Sequence, residues 1–467
     1  MPPRTNACAT CRKKRIKCDA TLPNCHMCLK FGRTCPGPGN GPIIIDMTAK
    51  AKSKPSGKEQ IRDTATLVVY DVPQTMQWTL QISHRNPLNE IFYSTFLSYF
   101  TATGEGEDIQ NKHTWLHKLP TFSADGTNTA LEIAVQATAS AFSGVKTRNA
   151  PLLQDACTLY GRALHMHSRL LRLKKEITVH MVSTSVLLSI FEAMHATTAS
   201  AYRAHVNGAA KMIEVAGPEQ CWEGVLCQIY FHIRTQLVFV YLTSKESGKN
   251  HVSTERALCN ALNYERLPIM QRLLTLISRL SDIHVRLEDG EDADFVQQLE
   301  DADVFEEVRG AINILETEYK DTADKKGYEL TWKTPAGSTT YRNPYTALCI
   351  AYFATARLLL SIIAPQLPVV HVDPTDYCDV VLEATAFLYT VTIGCAFMRM
   401  SAPLYLVAMH GKRVEQRMKA LAVFEEWKVT GLGGISALAL EKIHERGAKS
   451  ARAVLRKPET RLSTAGV

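Results

Sequence analysis

From about Asn89 onward, apolar residues recur at the spacing of amphipathic α-helices, as at Val186, Leu187, Ile190, Phe191 and Met194. Residues 202–216 show the same periodicity and end at a Gly-Pro pair, which is a strong helix stop signal. Residues 225–242 are apolar almost throughout, which predicts a helix buried on most sides. Strand-like alternation is sparse, so the fold class is predicted to be mainly α, with a large all-α body built as a bundle or an irregular helical array.

The chain before this body has a different composition. Residues 36–42 read PGPGNGP, which excludes regular secondary structure there. We therefore predict a small N-terminal module at residues 1–40, a flexible linker at 41–88 and the helical body at 89–467, which ends in a basic, polar tail. Between Pro36 and Asn86 no heptad of apolar residues is sustained, so a coiled coil is not predicted.

Six cysteines within the first 35 residues carry the chemistry of the N-terminal module. They are Cys8, Cys11, Cys18, Cys25, Cys28 and Cys35, with the spacing C-x2-C-x6-C-x6-C-x2-C-x6-C. The last three repeat the first three at an offset of 17 residues. Tetrahedral zinc takes four thiolates, so two zinc ions can share six thiolates only if two of the six bridge both ions. The pattern predicts a cofactor of two Zn²⁺ per chain, held by the six cysteines. Two of these cysteines, at equivalent positions of the two halves, bridge both ions.

Other uses of cysteine fit the sequence less well. A disulfide-stapled extracellular domain requires export, and residues 1–6 do not begin an apolar signal segment. The seven remaining cysteines are scattered at irregular spacing, mostly among apolar residues, as expected of free thiols in an intracellular protein. We expect His26, between the fourth and fifth cysteines, to be a surface residue and not a ligand.

Positive charge is concentrated in the same module. Residues 1–60 contain 12 lysines and arginines against 3 acidic residues, whereas the remainder contains 41 against 43. Five of the six positions between the second and third cysteines are cationic, and two more cations lie in the second half. The predicted DNA-binding residues are Arg12, Lys13, Lys14, Arg15, Lys17, Lys30 and Arg33. Such a density of charge indicates an anionic partner, because Arg and Lys donate hydrogen bonds to guanine O6 and N7 and to phosphates.

The cysteine pattern and its basic run resemble the fungal zinc binuclear cluster (Zn2Cys6) transcription factors over residues 7–36. The resemblance implies that Cys8 and Cys25 bridge the two ions, and that Lys14 and Arg15, with Lys17 nearby, read a CGG triplet in the major groove. The body also resembles, through residues 205–211 (HVNGAAK) and its alternating long helices, the fungal-specific regulatory domain found behind such clusters.

These features predict a nuclear, sequence-specific regulator of RNA polymerase II transcription. The expected partners are double-stranded DNA with CGG-like half-sites and transcriptional co-regulators. Without a coiled coil, the protein either forms a homodimer through the helical domain or binds as a monomer or with a different partner. The sequence contains no H-E-x-x-H, G-x-S-x-G, P-loop or G-x-G-x-x-G motif, so we do not expect an enzyme. Two alternatives stay open: a zinc-dependent nuclear interaction protein, and an effector-sensing regulator whose helical body is the main active part.

Two further segments have more than one interpretation. Residues 287–308 are rich in acidic residues with apolar residues between them. They predict either a transactivation segment or a solvated loop that leads into a helix near 305–315. Residues 346–364 form the longest apolar stretch, but they contain Arg357, so a buried helix is predicted there and no membrane partner is expected.

Overall fold

The computed structural model describes the chain in two parts. The described residues are 8–14, 16–19, 21, 24–35, 94, 96, 115–123, 126–173, 176–198, 200–217, 224–244, 268–289, 295–369, 375–391 and 394–456. The chain divides into two compact units, Met1–Leu80 and Gln81–Val467. The linker at 41–88 lies outside the described residues, so the predicted domain boundaries stay predictions.

In its described residues, the first unit contains two short helices, α1 (Ala9–Lys13) and α2 (His26–Lys30). Each helix begins one residue after a cysteine and contains the next cysteine of its half-motif. Five of the six cysteines are buried, and Cys35 is half-buried. These cysteines take the place of a hydrophobic core in this unit, with Ile16 and Met27 packed beside them.

The second unit is helical, which confirms the mainly α fold class. Its described helices are α3 (Leu119–Ser123), α4 (Thr129–Thr147), α5 (Ala150–Leu173), α6 (Val179–Met194), α7 (Ala201–Ala216), α8 (Gly224–Leu242), α9 (Ile269–Asp289), α10 (Phe295–Lys325), α11 (Pro344–Ile363), α12 (Cys378–Val391), α13 (Gly394–Arg399), α14 (Ser401–His410), α15 (Val414–Thr430) and α16 (Gly433–Arg456). Short 3-10 turns lie at Trp115–Lys118 and Ala364–Gln366.

Two helices form the centre of this body. Every side chain of α6 from Met181 to Met194 is buried, and the helix packs against α4, α5, α7, α8 and α16. Helix α11 is buried nearly throughout and packs against α9, α10, α12 and α14. One continuous apolar core includes residues of both central helices and of the helices packed against them. Burial of apolar surface on this scale is the main stabilising term for such a fold.

Polar residues set the ends of the main helices. Asn128 Oδ1 accepts a hydrogen bond from the Leu131 amide (3.0 Å) at the start of α4, and Asn343 Oδ1 accepts one from the Thr346 amide (2.8 Å) at the start of α11. These are N-cap bonds, which satisfy amides that have no partner within the helix. Helix α7 ends at Gly217, where φ is 90°. Its bounds differ by one residue from the predicted 202–216.

A small hairpin is the feature of this body that periodicity did not predict. Strands β1 (Thr331–Lys333) and β2 (Thr339–Tyr341) pair antiparallel, with Trp332 opposite Thr340. Three-residue strands are too short to show a clear alternation in sequence. The turn between them contains Gly337 at a φ of 81°, a conformation that glycine adopts without strain.

The acidic segment at 287–308 is largely helical where the structure describes it. Residues 287–289 end α9, and α10 begins at Phe295, ten residues before the predicted start near Phe305. Asp301 is 3% exposed and accepts a hydrogen bond from Arg286 Nη2 at 2.5 Å, while Phe305 is buried in the core. At least one acidic side chain of this segment, Asp301, therefore links α10 to α9 through an ion pair.

Two of the described helices are long and apolar enough to cross a membrane, Val225–Leu242 and Pro344–Gln366. Their apolar windows are 83% and 78% buried inside the body, as is common for core helices of globular proteins. Arg357, in the second of them, donates a hydrogen bond to Glu316 Oε2 of α10 at 2.8 Å. This burial and this ion pair support the predicted buried helix.

Candidate metal centre and nucleic-acid interface

The sulfur atoms of the first unit converge at the spacing that zinc requires. Cys8 Sγ lies 3.7 Å from both Cys25 Sγ and Cys28 Sγ. Cys35 Sγ lies 3.8 Å from Cys25 Sγ. Two thiolates bound to one zinc at about 2.3 Å and at the tetrahedral angle are about 3.8 Å apart. These separations are far too long for disulfide bonds, and all six residues are free thiols, so the cysteines fit a zinc cluster.

The six cysteines form two overlapping groups of four. Cys8, Cys11, Cys18 and Cys25 have sulfur atoms within 4.8 Å of one another, and so do Cys8, Cys25, Cys28 and Cys35. Cys8 and Cys25 belong to both groups. Each group supplies the four sulfurs of one tetrahedral site, and the shared pair is the one that the family resemblance implies as bridging.

Local structure repeats at the same 17-residue offset as the sequence. The Cys8 amide donates to Cys18 Sγ at 3.4 Å, and the Cys25 amide donates to Cys35 Sγ at 3.4 Å. The Cys11 amide donates to Cys8 Sγ at 3.3 Å, and the Cys28 amide donates to Cys25 Sγ at 3.4 Å. Amide hydrogen bonds to sulfur favour the thiolate form. The two halves are therefore equivalent as ligand scaffolds.

Burial has a consequence for metal binding. Burial is the main reason that the pKa of Cys11 is raised to about 12, and burial raises the pKa of Cys28 as well. Thiols of this kind are protonated at neutral pH in the absence of metal. Zinc must displace those protons, so zinc binding releases protons and weakens on acidification.

Asp19 joins the two halves, and sequence reasoning did not identify it. Its carboxylate accepts hydrogen bonds from the His26 amide (3.1 Å), the Met27 amide (3.4 Å) and the His26 ring Nδ1 (2.9 Å). The Thr21 hydroxyl donates to the same carboxylate, and these bonds lower the pKa of Asp19. Asp19 is the only acidic residue within positions 1–35, and that isolation is the signal that could have revealed it.

His26 thus contacts an aspartate and is exposed, as predicted for a residue that is not a ligand. A second link between the halves is the hydrogen bond from Thr10 Oγ1 to the Thr34 carbonyl at 2.9 Å. Together these contacts fix the orientation of α1 relative to α2.

Five of the seven predicted DNA-binding residues have side chains that the structure describes, and all five are exposed. Lys13, Lys14 and Lys17 of the first half are exposed, as are Lys30 and Arg33 of the second. The backbone of Arg12 lies in α1, while its side chain and the whole of Arg15 lie outside the described residues. The exposed ammonium groups are free to approach an anionic partner around the buried sulfurs.

Two exposed apolar side chains accompany the cations of the second half. Leu29 is 58% exposed and Phe31 is 53% exposed. The Arg33 guanidinium carbon lies 5.0 Å from the centre of the Phe31 ring, which is a cation–π distance. The sequence analysis did not single out Leu29 or Phe31, because a lone apolar residue in a short polar segment carries no periodic signal.

The geometry defines a small, two-metal thiolate domain. A family model for the fungal Zn(2)-Cys(6) binuclear cluster domain matches residues 6–37. Residues 6–37 are therefore a domain of that family, which binds two zinc ions through six cysteines and is typical of DNA-binding transcription factors.

Comparison with curated proteins and with solved structures finds no match to the chain. The resemblance of the helical body to the fungal-specific regulatory domain stays a prediction.

Proposed function

We propose that this protein is a nuclear, sequence-specific DNA-binding regulator of RNA polymerase II transcription that reads CGG-like triplets. The observation that carries the proposal is the row of exposed lysines in the first half of a Zn(2)-Cys(6) domain. Lys13, Lys14 and Lys17 are exposed beside buried cysteines, on and directly after α1. A helix that carries cations and is held rigidly by metal suits the width of the major groove.

The two halves would divide the work of recognition. In the first half, Lys14 and Arg15 would donate to guanine O6 and N7, with Arg12, Lys13 and Lys17 at the flanking phosphates. In the second half, Lys30 and Arg33 would contact phosphate. The support is the asymmetry of charge, because the ligand scaffold repeats between the halves while five of the seven cations lie in the first.

Zinc would act structurally. Cys8 and Cys25 would bridge the ions, Cys11 and Cys18 would complete one site, and Cys28 and Cys35 would complete the other. A segment this small has little apolar core beyond Ile16 and Met27, so metal binding would supply most of its folding free energy.

The helical body, at 89–467 behind a linker at 41–88, would regulate the cluster and bind co-regulators. No heptad follows the cluster in the sequence, so a homodimer would form through the body. A dimer would recognise two triplets at a fixed separation, because half-site spacing follows the geometry of the dimer.

Selection from a random DNA pool by the full-length protein tests the proposal, with zinc per chain measured on the same sample. Enrichment of CGG triplets by protein whose cysteine cluster holds two zinc ions per chain is the expected result. Triplets paired at constant spacing would support the dimer, and single triplets would contradict it. No enrichment by a zinc-loaded protein would overturn sequence-specific binding and favour a protein-interaction role. A chelator-treated sample is the matched control.

A further inference from the structure

Two histidines and a glutamate meet at the edge of the helical body, where Glu288 is exposed, far from the cysteine cluster in sequence. His284 and Glu288 are one turn apart near the end of α9, and His410 is the last residue of α14. Their ligand atoms all lie within 4.8 Å of one another. The His284 side chain is 2% exposed, and that of His410 is 11% exposed.

The distances among these atoms are those of a metal site. Glu288 Oε1 lies 3.4 Å from His284 Nε2 and 3.5 Å from His410 Nε2. Nitrogen and oxygen ligands bound to zinc at about 2.0–2.1 Å and at the tetrahedral angle are about 3.4 Å apart. Both separations are long for a hydrogen bond, but each equals the edge of a zinc tetrahedron.

Both imidazoles can supply a ligand, because a neutral imidazole offers a nitrogen lone pair to a cation. His284 Nδ1 is buried and has no hydrogen-bond partner within the described part of the chain. The other ring nitrogen, Nε2, faces Glu288 Oε1 at 3.4 Å.

Arg446 of α16 contacts the same atoms. Its guanidinium Nη1 pairs with Glu288 Oε1 and lies 3.3 Å from His410 Nε2. It thus supplies the positive charge that a metal ion would supply. The side chain is 41% exposed, so it can leave towards solvent without disturbing the core.

We propose that His284, Glu288 and His410 form a third metal site, which binds one divalent cation of the zinc class with water as the fourth ligand. The cation and the Arg446 guanidinium compete for Glu288, so metal binding releases Arg446 and loosens the attachment of α16 to α9. Histidine and carboxylate ligands of this number are those of mononuclear zinc sites that keep one open position.

Titration of Co²⁺ into full-length protein whose cysteine cluster already holds zinc tests the site. Thiolates prefer Zn²⁺ to Co²⁺, so cobalt should enter only a vacant site. We expect one equivalent of cobalt with visible d–d absorption and no thiolate-to-cobalt charge transfer. In the zinc form we expect three zinc ions per chain. Cobalt bound with thiolate charge transfer only, or no cobalt bound with zinc at two per chain, would overturn the proposal.

Variants separate binding at this site from binding elsewhere. His410→Ala should lower the affinity for cobalt by about 100-fold or more. His444→Ala, a change at an exposed histidine of α16, should leave it unchanged. Equal affinities of the two variants would refute the assignment.

Arg446→Ala provides a readout that misfolding cannot imitate. Removal of the competing guanidinium should increase the affinity for cobalt by about threefold, which is the usual effect of a partly exposed ion pair. A decrease would show that Arg446 supports the cluster as a structural ion pair, and would contradict competition with metal.

Discussion

Cys8 Sγ and Cys25 Sγ lie 3.7 Å apart, and these two residues are the members common to both four-cysteine groups. Each holds the same place in its half-motif, 17 residues from the other, and each is followed directly by a short helix. Each sulfur also accepts a hydrogen bond from the amide three residues later. The shared pair is thus where the two metal sites of the domain would join.

Exchange of a shared ligand should affect both zinc ions. Cys8→Ser should lower the zinc content by two ions per chain, because the hydroxyl is a poor ligand at either site. Cys18→Ser should lower the zinc content by one ion per chain, since Cys18 belongs to only one of the two four-cysteine groups. Elemental mass spectrometry measures the number of zinc ions per chain. Cys157→Ser, in the body, is the control and should keep the parental number. Loss of a single ion from Cys8→Ser would show that Cys8 is not shared.

Removal of the Asp19 carboxylate should make the cluster release zinc faster. Asp19→Ala loses the bonds to the His26 and Met27 amides, so α2 is less firmly held relative to α1. His26→Ala is the matched control, since it keeps both amide bonds and loses only the ring contact. The rate of zinc transfer to a coloured chelator gives the comparison. If both variants release zinc at the parental rate, Asp19 does not stabilise the cluster.

Lysines of the two halves should differ in their effect on DNA binding. Lys14→Ala should remove about 1–3 kcal/mol of preference for the selected triplet over its variants. Lys30→Ala should weaken all sequences alike and reduce the slope of log affinity against log salt by about 1. Fluorescence anisotropy on matched and mismatched duplexes at several salt concentrations measures both, with Lys428→Ala of the body as a neutral control. If both variants lost the same affinity on every DNA sequence, the proposed division of roles between the two half-motifs would be contradicted.

The body should lose stability on mild acidification. His167 is 4% exposed, neither of its ring nitrogens has a hydrogen-bond partner among the described residues, and burial lowers its pKa to about 4. The unfolded imidazole titrates near pH 6.5, so between about pH 6.5 and 4 the unfolded chain binds the extra proton. Stability therefore falls as the pH falls, by up to about 1.4 kcal/mol per pH unit.

Urea unfolding followed by circular dichroism at pH 7, 6 and 5 measures this slope. His167→Leu should reduce the slope of the free energy of unfolding against pH by the contribution of up to one proton. A smaller slope should remain from the buried His205 and His232, whose pKa values burial also lowers. His165→Ala, at an exposed position of α5, should not change it. Parallel pH curves for the parent and His167→Leu would contradict the assignment.

Two glycines should respond oppositely to alanine. A Cβ at Gly434 would lie 1.9 Å from the Glu192 carbonyl oxygen, where α16 begins against the end of α6. Gly434→Ala should therefore destabilise the body by about 3 kcal/mol or more. Gly310, inside α10, has open space around it, so Gly310→Ala should stabilise the helix by about 0.5–1 kcal/mol. Thermal unfolding compares them, and a neutral Gly434→Ala would show that α16 does not approach α6 so closely.

Sequence reasoning succeeded where the signal is local. The bounds of α7 (Ala201–Ala216), the burial of α8 (Gly224–Leu242) and the helical nature of the body follow from periodicity within single helices. Its misses were the early start of α10 and the hairpin at 331–341. The start of α10 depends on Arg286 and Asp301, which join two helices, and no periodic pattern records such a pair.

The metal domain can be predicted from the amino-acid sequence, because its ligands lie within 28 residues and their spacing limits the geometry to a sulfur cluster. The helical class can likewise be predicted from the sequence, because the amphipathic periodicity of a helix can be recognised within one segment of the chain. The tertiary structure alone decided which distant side chains meet, as His284, His410 and Arg446 do, and how closely α16 approaches α6. Such meetings depend on how whole helices pack together, and side-chain spacing along one helix does not specify its neighbours.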